Sequence, residues 1–206
     1  MIRAQRLVFI LLALFALPFF VAAQDSPVDY ATLLAKLKAG DTNIDYGRLR
    51  LSYVDSPEYK QAKDVSKSEK AMIPAINAKE YKEALKDAEV VLANDYVNMD
   101  AHFVAFIANR ELGATDKADF HRTVFRGLVD SIIHPGDGKS TEKAWVVINV
   151  DEEYVILRVL GFRPSGQSLI NKDGHSYDEM KVKNVEDGTE QTFYFNVDIS
   201  MKHFGV

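Results

Sequence analysis

The chain has 206 residues, 25 of them basic and 30 acidic, and no cysteine. Zero cysteine excludes thiol catalysis, iron–sulfur ligation and Cys-type zinc sites. A formal net charge of −5 argues against nucleic acid, whose phosphates demand a basic surface, and equally against anionic lipid.

The first element is a leader. Arg3 and Arg6 precede an uncharged apolar run from Leu7 to Val21, and Val21-Ala22-Ala23 places small residues at a cleavage point before Gln24. This is the layout of a secretory signal peptide over residues 1–23, cleaved after Ala23. The 15-residue run is shorter than the roughly 20 residues that a membrane-crossing helix needs. No cysteine follows it, so the expectation is an exported protein, periplasmic or secreted, with no membrane attachment after cleavage. Loss of the leader's two arginines takes the net charge from −5 to −7 and leaves 183 residues, enough to bury a core without covalent staples.

The first half is helical in pattern. Ser26-Pro27 offers an N-cap and a first-turn proline, Leu33, Leu34 and Leu37 form a stripe, and Gly40 ends it. Residues 41–65 mix both periods, and Pro57 disfavours helix through Ser56. Ser66 with Glu69 reads as a capping box ahead of a helix ending near Asn77. The clearest helix runs from about Lys79 to Asn94, with Tyr81, Ala84, Leu85, Ala88, Val91 and Leu92 on one face. Others follow from about Met99 to Leu112, ended by Gly113, and from about Asp116 to Ile133. Ala118, His121, Phe125, Leu128 and Ile132 share one side of the last.

Ala84 and Ala118 stand in similar five-residue contexts 34 residues apart, the tetratricopeptide period. The run DYVNMDAHFVAFIANRELGATDKA resembles part of such a repeat, although the pattern's tryptophan and proline are absent. Arrays of this kind need about three repeats to stand alone, so these helices should lean on the second half.

The character changes at Pro135-Gly136-Asp137-Gly138. Strands are predicted at 144–150, 153–161, 166–171, 176–183 and 191–199, with Asp173-Gly174 and Asp187-Gly188 as hairpin turns. Tyr154-Val155-Ile156-Leu157, apolar on both faces, reads as a central strand. The expected class is therefore α+β, with tetratricopeptide-like helix pairs packed on an antiparallel sheet of about five strands. Residues 24–206 are taken as a single unit, helical over 24–135 and β over 140–206.

The chemical motifs are sparse. Gly138-Lys139-Ser140-Thr141 lacks a phosphate loop's first glycine, Ile133 standing there, and it sits between helix and strand in the reverse order; it reads as a capped turn. The five histidines are His102, His121, His134, His175 and His203, with no HExxH and no i, i+4 pair. Folding the sheet back onto the last helix of the first half would bring His121, His134 and His175 near carboxylates such as Asp130, Asp137 and Asp173. His121, His175 and Asp137 are thus the candidate acid/base residues, and His134, Asp173 and Tyr177 the candidate binding residues. No metal-ligand set and no cofactor motif is read. There is no GxSxG serine. Asp151-Glu152-Glu153 and Glu186-Asp187 fall at predicted turns, where solvated charge is the ordinary outcome. Tyr194, with Tyr154 and Tyr177, could form an aromatic platform, though cross-strand packing explains them as well.

Several runs together resemble the bacterial family known as domain of unknown function 4919: DYGRLRLSYVDSPEY (45–59), DAHF (100–103), FHRTVFRGLVDSI (120–132), GDGKS (136–140), INVDEEYVILRVLG (148–161), GHSYD (174–178) and YFNVDI (194–199). The resemblance covers nearly all of the chain after the leader. It implies an exported protein and a single unit, and it carries over no site residues. Two functions fit the sequence. One is a non-enzymatic module that binds a protein or peptide. The other is a hydrolase or metal-dependent enzyme with a His/Asp site between the last helix and the sheet.

Overall fold

The computed structural model describes residues 29–204; the leader, its cleavage point after Ala23 and the Ser26-Pro27 cap lie outside the described residues. The first helix, α1 (Tyr30–Lys38), is capped instead by Asp29, whose carboxylate accepts the Thr32 N–H at 2.9 Å. Gly40, at φ +89°, ends it where a side chain would be strained. The ambiguous stretch that follows is two short helices, α2 (Tyr46–Tyr53) and α3 (Pro57–Lys60). Asp45 and Ser56 cap them, and Pro57 opens the second rather than interrupting the first.

Four helices then pack in sequence: α4 (Ser66–Asn77), α5 (Tyr81–Leu92), α6 (Met99–Glu111) and α7 (Thr115–Ile133). The α4–α5 and α6–α7 connections are the same turn, 34 residues apart. Lys79 (φ 61°) corresponds to Gly113 (φ 79°), and the N-caps Glu80 and Ala114 share nearly equal dihedrals. Glu80 N donates to Ala75 O at 2.9 Å, and Ala114 N to Asn109 O at 2.8 Å. Ala84, Ala88, Ala101 and Ala105 are fully buried between these helices; small side chains let the axes approach closely.

The expected capping box at Ser66 does not form. Ser66 lies inside α4, its N–H goes to Asp64 at 2.9 Å, and Glu69 accepts instead from Asn98 Nδ2 at 3.3 Å.

The second half departs further from expectation. Among the described residues it holds four strands, not five: β1 (Trp145–Val146), β2 (Phe162–Lys172), β3 (His175–Asn184) and β4 (Glu190–Asn196). Their order is β1-β4-β3-β2, and the sheet is mixed because β1 runs parallel to β4. The segment predicted as a central strand over 153–161 is a helix, α8 (Val150–Val159). Asn149 caps it by accepting the Glu152 N–H at 3.0 Å, and three acidic residues occupy its first turn, where the helix dipole favours them. The Asp173-Gly174 hairpin turn forms as expected, both residues at positive φ. Phe193, Phe195 and Val197, alternate residues, are all buried in the core, but the strand predicted over 191–199 ends at Asn196 and residues 198–199 belong to the closing helix α9 (Asp198–Phe204).

The protein is thus α+β, with N-terminal helices and a C-terminal sheet. Its main core joins both parts: Leu37, Leu49, Leu128 and Ile132 from the helices pack in one cluster with Ile156, Leu157, Met180 and Phe195. Trp145 stacks beside Phe193 and Phe195 and donates its indole N–H to Gly136 O at 3.1 Å. No helix among the described residues is long and apolar enough to cross a membrane.

Candidate functional site

Three helix beginnings meet at a cleft of about 280 Å³. Helix α4 contributes Glu69, Lys70 and Met72. The start of α6 contributes Asn98, Met99 and Asp100, and the start of α8 contributes Asn149, Asp151, Glu152 and Val155. The caps set this geometry. Asn98 accepts the Ala101 N–H at 2.9 Å, as Asn149 accepts that of Glu152, so both helices begin where they face the cleft.

Glu152 is the central residue. It is only 4 % exposed, and its Oε2 accepts from Arg50 Nη1 and from Ile148 N, each at 2.8 Å. Its Oε1 has no hydrogen-bond partner. Arg50, 1 % exposed, is itself fully engaged, donating also to Val146 O at 3.0 Å and Ser131 Oγ at 3.3 Å. Opposite charges removed from water survive only when paired in this way. Burial still outweighs the guanidinium and raises the Glu152 carboxyl above its usual range.

The other carboxylates feel one another. Loss of solvation, reinforced by Asp151 and Asp64, raises Glu69. Desolvation also raises Asp100 against the opposing pull of Arg158, its ion-pair partner. Asp95, which accepts the Val97 N–H at 3.0 Å, is pushed up to about 7, chiefly by desolvation and further by Glu152 and Glu69. The cleft is a concentration of negative charge over apolar walls. It is lined by no serine, threonine or histidine, and apart from Lys70 and the Asn98 and Asn149 amides its polar side chains are carboxylates, which accept hydrogen bonds and attract cations.

The residues singled out in the sequence lie elsewhere. His121 pairs with His102, their Nδ1 atoms 3.0 Å apart. His134 is exposed beyond the end of α7, 4.0 Å from Asp130. His175 meets Asp198 at 2.6 Å on the far side of the sheet hairpin. No hydrogen bond, ion pair or ring contact joins any two of His121, His134 and His175. Asp137 accepts the Lys139 N–H at 3.0 Å within its loop, and Asp173 forms the β2–β3 turn. Tyr177 is buried in β3 with its ring 6.4 Å from that of His175. The Gly138 segment is a turn, stitched to β4 by Tyr194 N donating to Gly138 O at 2.7 Å. Among the described residues, no group of three or more His, Asp or Glu side chains is gathered as a metal shell would require.

Asp151-Glu152-Glu153, read as solvated turn charge, is corrected most sharply: Glu152 and Glu153 are buried. The missed signal was local. Asn149 three residues before Glu152, followed by an apolar run, is an N-cap pattern rather than a strand pattern.

A family model described as Domain of unknown function (DUF4919) matches residues 20–204. No curated protein and no solved structure matches the chain.

Proposed function

The chain belongs to the family of Domain of unknown function (DUF4919), and from that premise we propose that it is an exported, non-enzymatic module that binds a peptide or protein segment in the cleft between α4, α6 and α8. The 34-residue offset between two equal helix–turn–helix pairs supports a tetratricopeptide-like scaffold. In such a scaffold the first helix of each pair lines one face, and α4 and α6 are those first helices. α8 extends this face, and the core shared with the sheet supports treating residues 24–206 as one unit. The observation that carries the reading is the cleft itself: it opens at the first helices of both pairs and at α8, and one buried acceptor there lacks a partner.

Two measurements test it. Screening a random peptide display library against residues 24–206 should return binders that Met99→Ala weakens; a library that returns none overturns peptide binding. Export rests on the leader, and N-terminal sequencing of protein recovered outside the cytoplasm should begin at Gln24. Retention of Met1 in the recovered protein overturns it.

A further inference from the structure

Glu152 Oε1 is a buried acceptor left without a donor at the wall of a cleft. Such an atom has lost its water and gained nothing, a state that a ligand donor relieves. The charge around it selects the donor. Arg50 and Arg158 are committed to Glu152 and Asp100, whereas Glu69 and Asp151 make no ion pair among the described residues, and Lys70 offsets only one of these two charges. An anion would meet these carboxylates. The helix N-termini do not invite one, because Asn98, Asn149 and the acidic first turn of α8 already occupy them.

We infer that the cleft seats a single lysine side chain of the bound peptide, its ammonium on Glu152 Oε1 and its methylene stem along Met72, Val97, Met99 and Val155; this rests on the peptide-binding reading above. All four apolar residues are buried and line the cleft, matching a side chain that is apolar along its length and charged at its tip. Pockets for whole small molecules span about 300–1,000 Å³. A cleft of about 280 Å³ suits one long side chain. Lysine fits better than arginine because guanidinium prefers both oxygens of a carboxylate, and Oε2 is already taken by Arg50 and Ile148.

The probes are three: acetyl-Gly-Lys-Gly-amide, the same peptide with norleucine for lysine, and 1,5-diaminopentane, each titrated by calorimetry and amide NMR. The lysine peptide should bind, shifting the amides of Met99, Asp100 and Glu152, and the norleucine peptide should bind at least about tenfold more weakly, as expected for loss of a charged partner at a desolvated site. Glu152→Gln should abolish the preference. Because that change also disturbs Arg50, Asp151→Asn serves as the second variant and should weaken lysine binding several-fold while the protein stays folded, since Asp151 is exposed and makes no ion pair among the described residues. Lys70→Ala should tighten it, since a competing cation leaves the rim. Equal binding of the lysine and norleucine peptides overturns the cation site while leaving a peptide groove. The diamine binding as tightly as the peptide overturns a peptide source. If no lysine peptide binds, this inference falls, and only an empty library screen would take the peptide reading with it.

Discussion

His102 and His121 lock each other's tautomer across the α6–α7 contact. His102 Nε2 lies 3.0 Å from Tyr96 O, a carbonyl that can only accept, so the proton sits on Nε2 and Nδ1 is bare. His121 Nδ1–H must then be the donor across the 3.0 Å Nδ1–Nδ1 contact. A second proton on His102 would set two N–H groups against each other.

This pair should make the fold sensitive to acid. Burial, then the neighbouring imidazole, holds His102 down at about 3; burial and Lys117 hold His121 at about 4. The unfolded chain takes up protons near the ordinary histidine value of about 6.5, so it binds more protons than the folded state between roughly 6.5 and 4. Stability is full above that window and falls with pH through it, by up to about 1.4 kcal/mol per pH unit per histidine. In urea unfolding between pH 4.5 and 7.5, His121→Phe should be less stable at pH 7.5 yet show a shallower acid slope. A slope equal to that of the unmodified protein refutes the pairing.

Glu153 should act in the opposite direction. It is fully buried, and no donor group reaches either of its oxygens. Burial, and then the negative Asp178 beside it, pushes its carboxyl up to about 9, so it keeps its proton at neutral pH. A raised folded value means that the folded state holds the extra proton. Stability is greatest below the unfolded value of about 4.5 and declines toward pH 9, again by at most about 1.4 kcal/mol per unit. Glu153→Gln, neutral at every pH, should flatten melting temperature between pH 6 and 9. An unaltered alkaline decline in that variant would place its cause elsewhere.

Arg50 ties four elements together through Glu152, Val146 and Ser131. Arg50→Met strands a buried carboxylate, a loss of about 3–5 kcal/mol for pairs of this kind. Arg50→Met with Glu152→Leu should recover much of that loss, because a buried pair replaced by apolar groups is often near neutral. A double-mutant cycle by denaturant unfolding checks both. Simple additivity of the two changes would mean that the pair is not coupled.

The sequence carried α1 and α4 to α7 because an apolar face repeats at helical spacing and turn residues mark the ends, as Ala84, Ala88 and Gly113 illustrate, but not α2 and α3, which are too short to show a period. It concealed α8 for a physical reason. Val155, Ile156 and Leu157 are consecutive and all buried, while the exposed polar stripe is only Asp151, Tyr154 and Arg158, so the apolar run taken without its flanks looks like a buried strand. The cleft was less legible still. What makes Glu152 a floor residue rather than a solvated charge is Arg50, 102 residues earlier, and no local pattern announces so distant a pairing. The histidines drew attention by type alone, and the partner that explains His121, His102, lies one helix away.

Gly127 offers a test of packing against propensity. It lies inside α7, where alanine ordinarily stabilises by about 1 kcal/mol over glycine. Here a Cβ would fall 2.4 Å from two ring carbons of Tyr46. The ring cannot simply swing aside, because Tyr46 Oη donates to Thr42 O at 3.0 Å and the side chain packs against the main core. Overpacking of this kind costs about 1–3 kcal/mol, enough to cancel or exceed the helical gain. Gly127→Ala should therefore lower the melting temperature. In a Tyr46→Ala background, where the obstructing ring is gone, the same change should raise it, so the sign of one substitution reverses with a residue 81 positions away in the chain. Thermal melts of the four proteins decide the matter: a stabilising Gly127→Ala in the presence of Tyr46 would show that the α2–α7 contact yields, and that the glycine is not there to admit the ring.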